Sequence, residues 1–173
     1  MQTILEIGSG SGNKLSQMCW QLDSKGHGVE PSNLAVDFAN KNYSGKCTFE
    51  VGTADSLPSQ LKKFDLIHFG FCLYLVSRDR LANCLKQADI LLKPGRFLSI
   101  IDFDPLEPHA NKYEHSNGLK SHKDNYYKMF CDFGNYTLVN KYSFSQGGGY
   151  HFSLDPYART SLTLLFKEND DHV

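Results

Sequence analysis

The chain has 173 residues, a length that holds one domain with a proper core and crowds two. A hydrophobic fraction of 40% and an aromatic fraction of 13% describe a folded globular protein and exclude a disordered or fibrous one. The formal net charge of −1 supplies no broad basic field for nucleic acid, and the sequence has no run of about 18 apolar residues to span a membrane.

Five short strands are expected between residues 3 and 103, alternating with helices or connections. "TILEI" is the first, and it runs directly into Gly8-Ser9-Gly10-Ser11-Gly12. Leu15, Met18, Cys19 and Leu22 then fall at the spacing of one helix face. "GHGVE" is the second strand, and Ser32 caps a helix expected to bury Leu34, Ala35, Phe38 and Ala39. "KCTFEV" and "FDLIHFGF" follow as strands three and four, the latter apolar enough to be covered on both faces. Asp79 is expected to cap a helix carrying Leu81, Cys84, Leu85, Ala88, Leu91 and Leu92; Pro94-Gly95 ends it, and "RFLSIIDF" is strand five.

Beyond strand five the pattern changes. Residues 104–122 carry two prolines and three histidines without periodicity and read as a long polar loop. A helix is expected around "DNYYKMF", then strands at "YTLVNKYSF" and "SLTLLFKE", an antiparallel pair at one edge of the sheet. The fold class is therefore α/β, doubly wound and mostly parallel, with residues 1–173 as a single domain. Five cysteines (Cys19, Cys47, Cys72, Cys84, Cys131), odd in number and never spaced C-x-x-C, argue against disulfides or a thiolate zinc site. No signal peptide pattern precedes the first strand, and the expected setting is the reducing cytoplasm.

The glycine turn carries the chemistry. Glycine permits positive φ and removes the Cβ that would block a ligand, and the following helix presents free N–H groups. Glu30, 22 positions after Gly8 at the end of the next strand, can accept hydrogen bonds from ribose hydroxyls. The spacing is G-x-G-x-G preceded by Glu6, not the dinucleotide G-x-G-x-x-G, which disfavours a nicotinamide oxidoreductase. Glu6, buried at a strand end, needs a partner such as an amino group on a ligand.

"LEIGSGSG", "GVEPS", "GTADSLP", "FDLIHFGFCLYLV" and "LLKPGRFLSIIDF" stand in the order seen in class I S-adenosylmethionine-dependent methyltransferases, and the chain resembles a small bacterial-type member of that family over roughly residues 3–103. The resemblance implies a Rossmann-like, mostly parallel seven-stranded sheet with an antiparallel C-terminal strand pair. It implies S-adenosyl-L-methionine as cofactor, with Glu6, Gly8, Ser9, Gly10 and Gly12 around its methionine part. Glu30 would hold the ribose hydroxyls, with Pro31 and Ser32 beside the adenine. Ala54 and Asp55 would address the adenine edge, because Thr53 stands where many relatives carry an acid. The segment from Phe69 and Gly70 to Tyr74 would run beneath the sulfonium. Asp55 equally suits a helix cap, and Phe69 and Phe71 equally suit the core.

Methyl transfer is an in-line displacement that needs alignment more than acid or base, unless the acceptor is a hydroxyl. Tyr74, His109 and His115 are the catalytic candidates, with His122, Asp102 and Asp104 nearby in sequence. His68, inside an apolar strand, reads as a core residue, and the histidine and aspartate spacings match no metal site. The fourth strand lacks [DN]-P-P-[YFW], so a small metabolite or sugar intermediate is the expected acceptor, at oxygen or nitrogen, rather than nucleic acid. Relatives usually place helices ahead of the first strand, whereas this sequence reaches that strand at Thr3. A more open site is expected, either closed by a homodimer or left open in a naturally short variant. The alternative is a cofactor-binding module that does not catalyse.

Overall fold

The computed structural model describes residues 2–113, 118–149 and 151–169. β1 (Thr3–Ile7) is an interior strand whose Ile4, Leu5 and Ile7 are almost free of solvent. α1 (Asn13–Gln21), β2 (Lys25–Glu30), α2 (Asn33–Tyr43) and β3 (Cys47–Val51) follow. Then come β4 (Phe64–Gly70), a single 3-10 turn at Leu73–Leu75, α3 (Arg78–Leu91) and β5 (Leu92–Phe103). A small hairpin, β6 (His109–Lys112) with β7 (Lys120–Lys123), precedes α4 (Tyr126–Phe133), β8 (Tyr136–Ser145) and β9 (Arg159–Lys167).

The main sheet has seven strands in the order β3-β2-β1-β4-β5-β9-β8. β1 to β5 pair in parallel, and β9 is inserted antiparallel between β5 and β8. This is the expected Rossmann-like sheet. Strand order reverses between β1 and β4, and the carboxyl ends of those strands are where open α/β sheets bind ligands. One core cluster joins α3 and α4 to β4, β5 and β9, with Phe69, Leu98, Phe130 and Leu165 fully buried. A smaller cluster joins α1 and α2 to β1 and β3 through Ile4, Leu15, Cys19, Val36, Ala39 and Phe49. Among the described residues no helix is long and apolar enough to cross a membrane.

Several local expectations are corrected. α2 buries Val36 and Ala39, while Leu34 is 84% and Phe38 51% exposed. The helix is rotated because Asn40 docks on β3: its amide donates to Phe49 O (2.9 Å) and accepts from Phe49 N (3.0 Å). Ser32 is the N-cap as expected, its hydroxyl accepting from Ala35 N. The residue capping α3 is Ser77 rather than Asp79, which lies in the first turn where a carboxylate complements the helix dipole. Pro94 and Gly95 lie within β5, at an irregularity where the pairing jumps from Phe64↔Leu92 to Leu66↔Phe97. The polar stretch 104–122 is no featureless loop, since it contains β6 and most of β7.

Candidate functional site

The turn after β1 holds Gly8, Gly10 and Gly12 at φ of 77°, 51° and 84°, all left-handed. Gly8 N and Ser9 N both donate to Val29 O, tying the turn to β2. A Cβ on Gly8 would lie 2.7 Å from Cys72 Cβ, and one on Gly12 would lie 2.6 Å from the Phe49 ring. A Cβ on Gly10 would meet nothing within 4 Å. Two of the glycines therefore allow close packing, and the third opens onto unfilled space.

Glu30, at the end of β2, folds onto this turn. One carboxylate oxygen accepts from Gly10 N (3.0 Å) and the other from Ser32 N (3.2 Å). A carboxylate has about four acceptor sites, so both oxygens keep capacity for hydroxyl donors. Glu6 lies behind the turn at 1% exposure, with Oε1 3.7 Å from Lys14 Nζ and 4.0 Å from His68 Nε2. Burial pushes its carboxyl up to about 7, and Oε2 has no hydrogen-bond partner among the described residues. His68 is held in the core by Ser99 Oγ at its Nδ1 (3.1 Å), and burial lowers its pKa to about 3. Gly70 lets β4 pass here: a Cβ on it would lie 2.7 Å from Gly8 O.

A cavity of about 580 Å3 opens beside the turn, within the roughly 300–1,000 Å3 range of small-molecule sites. Gly8 and Pro31 border it from the ends of β1 and β2, and Thr53, Ala54 and Asp55 border it after β3. Cys72, Leu75, Val76 and Arg80 form the wall toward α3, and Leu119 of the hairpin closes one side. Asp55 is not free. Its carboxylate accepts from Arg80 Nη1 (2.8 Å), a hydrogen bond that holds it below the usual carboxylate range. Its carbonyl accepts from Asn83 and Gln87 of α3, and no helix begins there for it to cap. Cys72 donates its thiol to Ile7 O, and burial raises its pKa well above the normal range, so it is no nucleophile.

Three rings cluster beyond the residues that line the cavity. Phe71 adopts φ of 66°, an outlying conformation for a bulky side chain, and its ring packs 5.2 Å from Tyr74 and 5.0 Å from Phe103. Tyr74 N donates to Asp102 Oδ2, and its hydroxyl pKa is raised by burial and by a hydrogen bond with Tyr113. Asp102 is 2% exposed, and burial pushes its carboxyl up to about 7.

The remaining candidates separate from this site. Phe69 is fully buried against Phe130, in the core rather than on the cavity. Ser9 is buried with its Oγ unpartnered among the described residues, and Ser32 is a helix cap. His109 begins β6, with Nδ1 3.0 Å from Glu107 O and its ring edge-on to Tyr157, and it does not line the cavity. His115 lies outside the described residues. Asp104 is engaged by Lys141 and Ser143. The Asp55–Arg80 pair, the strained Phe71 and the placement of Leu119 are not visible in the sequence, because each depends on a contact between distant segments.

Residues 4–95 match the family model of a methyltransferase domain. An uncharacterized methyltransferase of Bacillus subtilis, YcgJ, is 30% identical over 124 residues, covering 68% of this chain and 47% of that protein. The chain thus spans about half the length of the curated relative it matches. Among solved structures, the Methanosarcina mazei S-adenosylmethionine-dependent methyltransferase superposes with a TM-score of 0.74 at 16% identity, covering 98% of this chain and 93% of the other. The Burkholderia thailandensis 1,6-didemethyltoxoflavin N1-methyltransferase, bound to its substrate and S-adenosylhomocysteine, superposes at 0.75 with 12% identity, covering 97% and 72%. The glycopeptide N-methyltransferase MtfA with S-adenosylmethionine gives 0.71 at 12%, covering 96% and 87%. At such identities these structures share the fold.

Proposed function

The chain belongs to the methyltransferase-domain family, and we propose that it transfers a methyl group from S-adenosylmethionine to oxygen or nitrogen of a small molecule. Residues 1–173 act as one cofactor-binding domain in this reading. The observation that carries it is the pairing of Gly10 with Glu30. A left-handed glycine with open space at its Cβ position stands beside a carboxylate braced by two backbone N–H groups.

The residues fit the cofactor. When bound, S-adenosylmethionine supplies a methyl group already activated by its sulfonium. The spare acceptor capacity of Glu30 suits two neighbouring hydroxyls of a ribose. Pro31 and Ala54 offer apolar surface to a flat base. The unpartnered Oε2 of Glu6 lies where a cationic amino group would relieve it, directly or through water. Asp55, occupied by Arg80, is better suited to holding the 52–57 loop against α3 than to reading the base.

The chain itself contributes alignment. The backbone turn positions one partner, and the side chains across the cavity, Cys72, Leu75 and Val76 among them, border the other, so that approach along one line replaces a bimolecular search. Tyr74, with its raised pKa, is a hydrogen-bond donor and not a base near neutral pH. Support for a small acceptor comes from the net charge of −1 and from two relatives of the same fold whose names specify a toxoflavin precursor and a glycopeptide.

Incubation with methyl-labelled S-adenosylmethionine and a heat-treated whole-cell extract, which offers small molecules, nucleic acid and protein together, tests the activity. The expected result is label in the low-molecular-weight fraction together with S-adenosylhomocysteine. Label confined to RNA, DNA or protein would refute the small acceptor. Tight cofactor binding without any label transfer would support a non-catalytic module.

A further inference from the structure

Residues 52–63, between β3 and β4, carry no helix and only an isolated strand bridge. A connection of this kind keeps one conformation only where other elements fix it. Its first part is fixed. Thr53 N donates to Ser56 O (3.3 Å) and Ser56 N to Thr53 O (3.0 Å), so Ala54 and Asp55 form the corner of a tight turn. Thr53, Ala54 and Asp55 all border the cavity. The N–H of Ala54 finds no acceptor among the described residues.

The turn is held from α3. Arg80, Asn83 and Gln87 stand at i, i+3 and i+7, a polar stripe beside the buried Leu81, Cys84, Leu85 and Ala88. Such a stripe is ordinarily left to water, but this one meets main chain. Gln87 Oε1 accepts from Leu57 N (2.9 Å), and its Nε2 donates to Asp55 O (2.6 Å). Asn83 Nδ2 donates to the same carbonyl (2.8 Å), whereas Arg80 takes the Asp55 side chain. One amide that bonds a carbonyl and the N–H two residues further on does what the peptide of an adjacent strand would do. Gln87 does not line the cavity itself and reaches it only through this backbone.

We propose that Gln87 is a positioning residue for base recognition: by holding Asp55 and Leu57 it sets the Ala54 corner as a rigid donor edge that admits adenine and rejects hypoxanthine. The inference rests on the cofactor reading above and concerns how the base of that cofactor is selected. Adenine presents a bare N1 beside its amino group, whereas hypoxanthine presents N1–H beside a carbonyl. A main-chain N–H fixed at this edge bonds the first and opposes the second. Rejection requires a donor that cannot turn away, because a loose corner would move and leave no donor facing another.

The test is titration calorimetry with S-adenosylhomocysteine and with S-inosylhomocysteine, combined with amide hydrogen exchange of the 15N-labelled chain. Wild type, Q87M, N83A and K86A are compared; Q87M keeps the side-chain bulk and loses both hydrogen bonds. Wild type should prefer the adenosyl ligand by at least about tenfold. Q87M should bind that ligand roughly tenfold more weakly and change by less than about twofold toward the inosyl one, so that selectivity collapses. N83A, which leaves Gln87 in place, should shift less in the same direction, and the exposed K86A should match wild type. Leu57 N–H should exchange at least about tenfold faster in Q87M while the amides of α3 and β4 are unaltered, which separates a released turn from a lost fold. No preference between the bases in wild type, unchanged selectivity in Q87M, an equal loss of both ligands, or unaltered exchange at Leu57 would overturn the inference and leave the cofactor reading standing. A wild type that binds neither ligand would overturn the cofactor reading, and the inference with it.

Discussion

On the β1–β2 side of the cavity a ligand meets main chain: left-handed glycines, the N–H groups behind them, and one carboxylate that those N–H groups hold. On the opposite side it meets side chains, those of Cys72, Leu75, Val76 and Arg80 and Leu119 of the hairpin, brought together from segments far apart. Backbone geometry of the first kind changes only when the fold changes, so it suits a ligand that is always the same. Side-chain surfaces of the second kind can be rebuilt without moving a strand, so they suit the partner that varies. Under the proposed function these are the cofactor half and the acceptor half of the site, which thus differ in material as well as in position.

If the first side is structural backbone, damage to it should appear in stability. Gly12→Val forces a side chain into φ of 84° and onto the Phe49 ring, and a loss of at least about 3 kcal/mol is expected by chemical denaturation. Unchanged stability would break the comparison. The buried acid behind the turn gives the next largest effect. Glu6 binds its proton more tightly when folded, so its contribution is fully present below the normal carboxylate value of 4.5 and is lost as pH rises through about 7. Relative to Glu6→Gln, the wild type should lose roughly 2–3 kcal/mol between about pH 5 and pH 8. Parallel pH profiles would show that Glu6 is not desolvated. The smallest effect sharpens the comparison on the side-chain wall. Arg80→Ala removes an exposed ion pair, and only a slight, salt-sensitive fall in melting temperature is expected. It should vanish in acid, because Asp55 is held low by Arg80 and loses that benefit once protonated. A large, salt-independent loss would mean that the pair is a buried anchor.

The two halves also differed in how far they could be read from the chain. The cradle is local: the glycine spacing, the strand before it and Glu30 after it lie within 27 residues of β1's start, so residue types alone pointed to it. The acceptor side depends on tertiary contacts. Asp55 looks like a free adenine contact until Arg80, 25 residues away, is seen to hold it. Phe69 and Phe71 are two residues apart in one apolar strand end, and only burial assigns the first to the core and backbone strain marks the second. The hairpin reads as loop in the sequence because His-Ala-Asn-Lys and Lys-Ser-His-Lys show no apolar alternation; their pairing, not their hydrophobicity, makes them strands. Counting apolar residues likewise turned α2 the wrong way, since the polar Asn40 sets its rotation.

The central claim is that Glu30 and the glycine turn hold an adenosyl ligand without its methyl acceptor. Titration calorimetry of wild type and Glu30→Ala with S-adenosylhomocysteine, with NAD as control, tests it most directly. The account predicts one saturable site for S-adenosylhomocysteine, none for NAD, and a roughly tenfold to hundredfold weaker affinity in Glu30→Ala. Equal affinity in the two proteins, or saturable binding of NAD in place of S-adenosylhomocysteine, would contradict it.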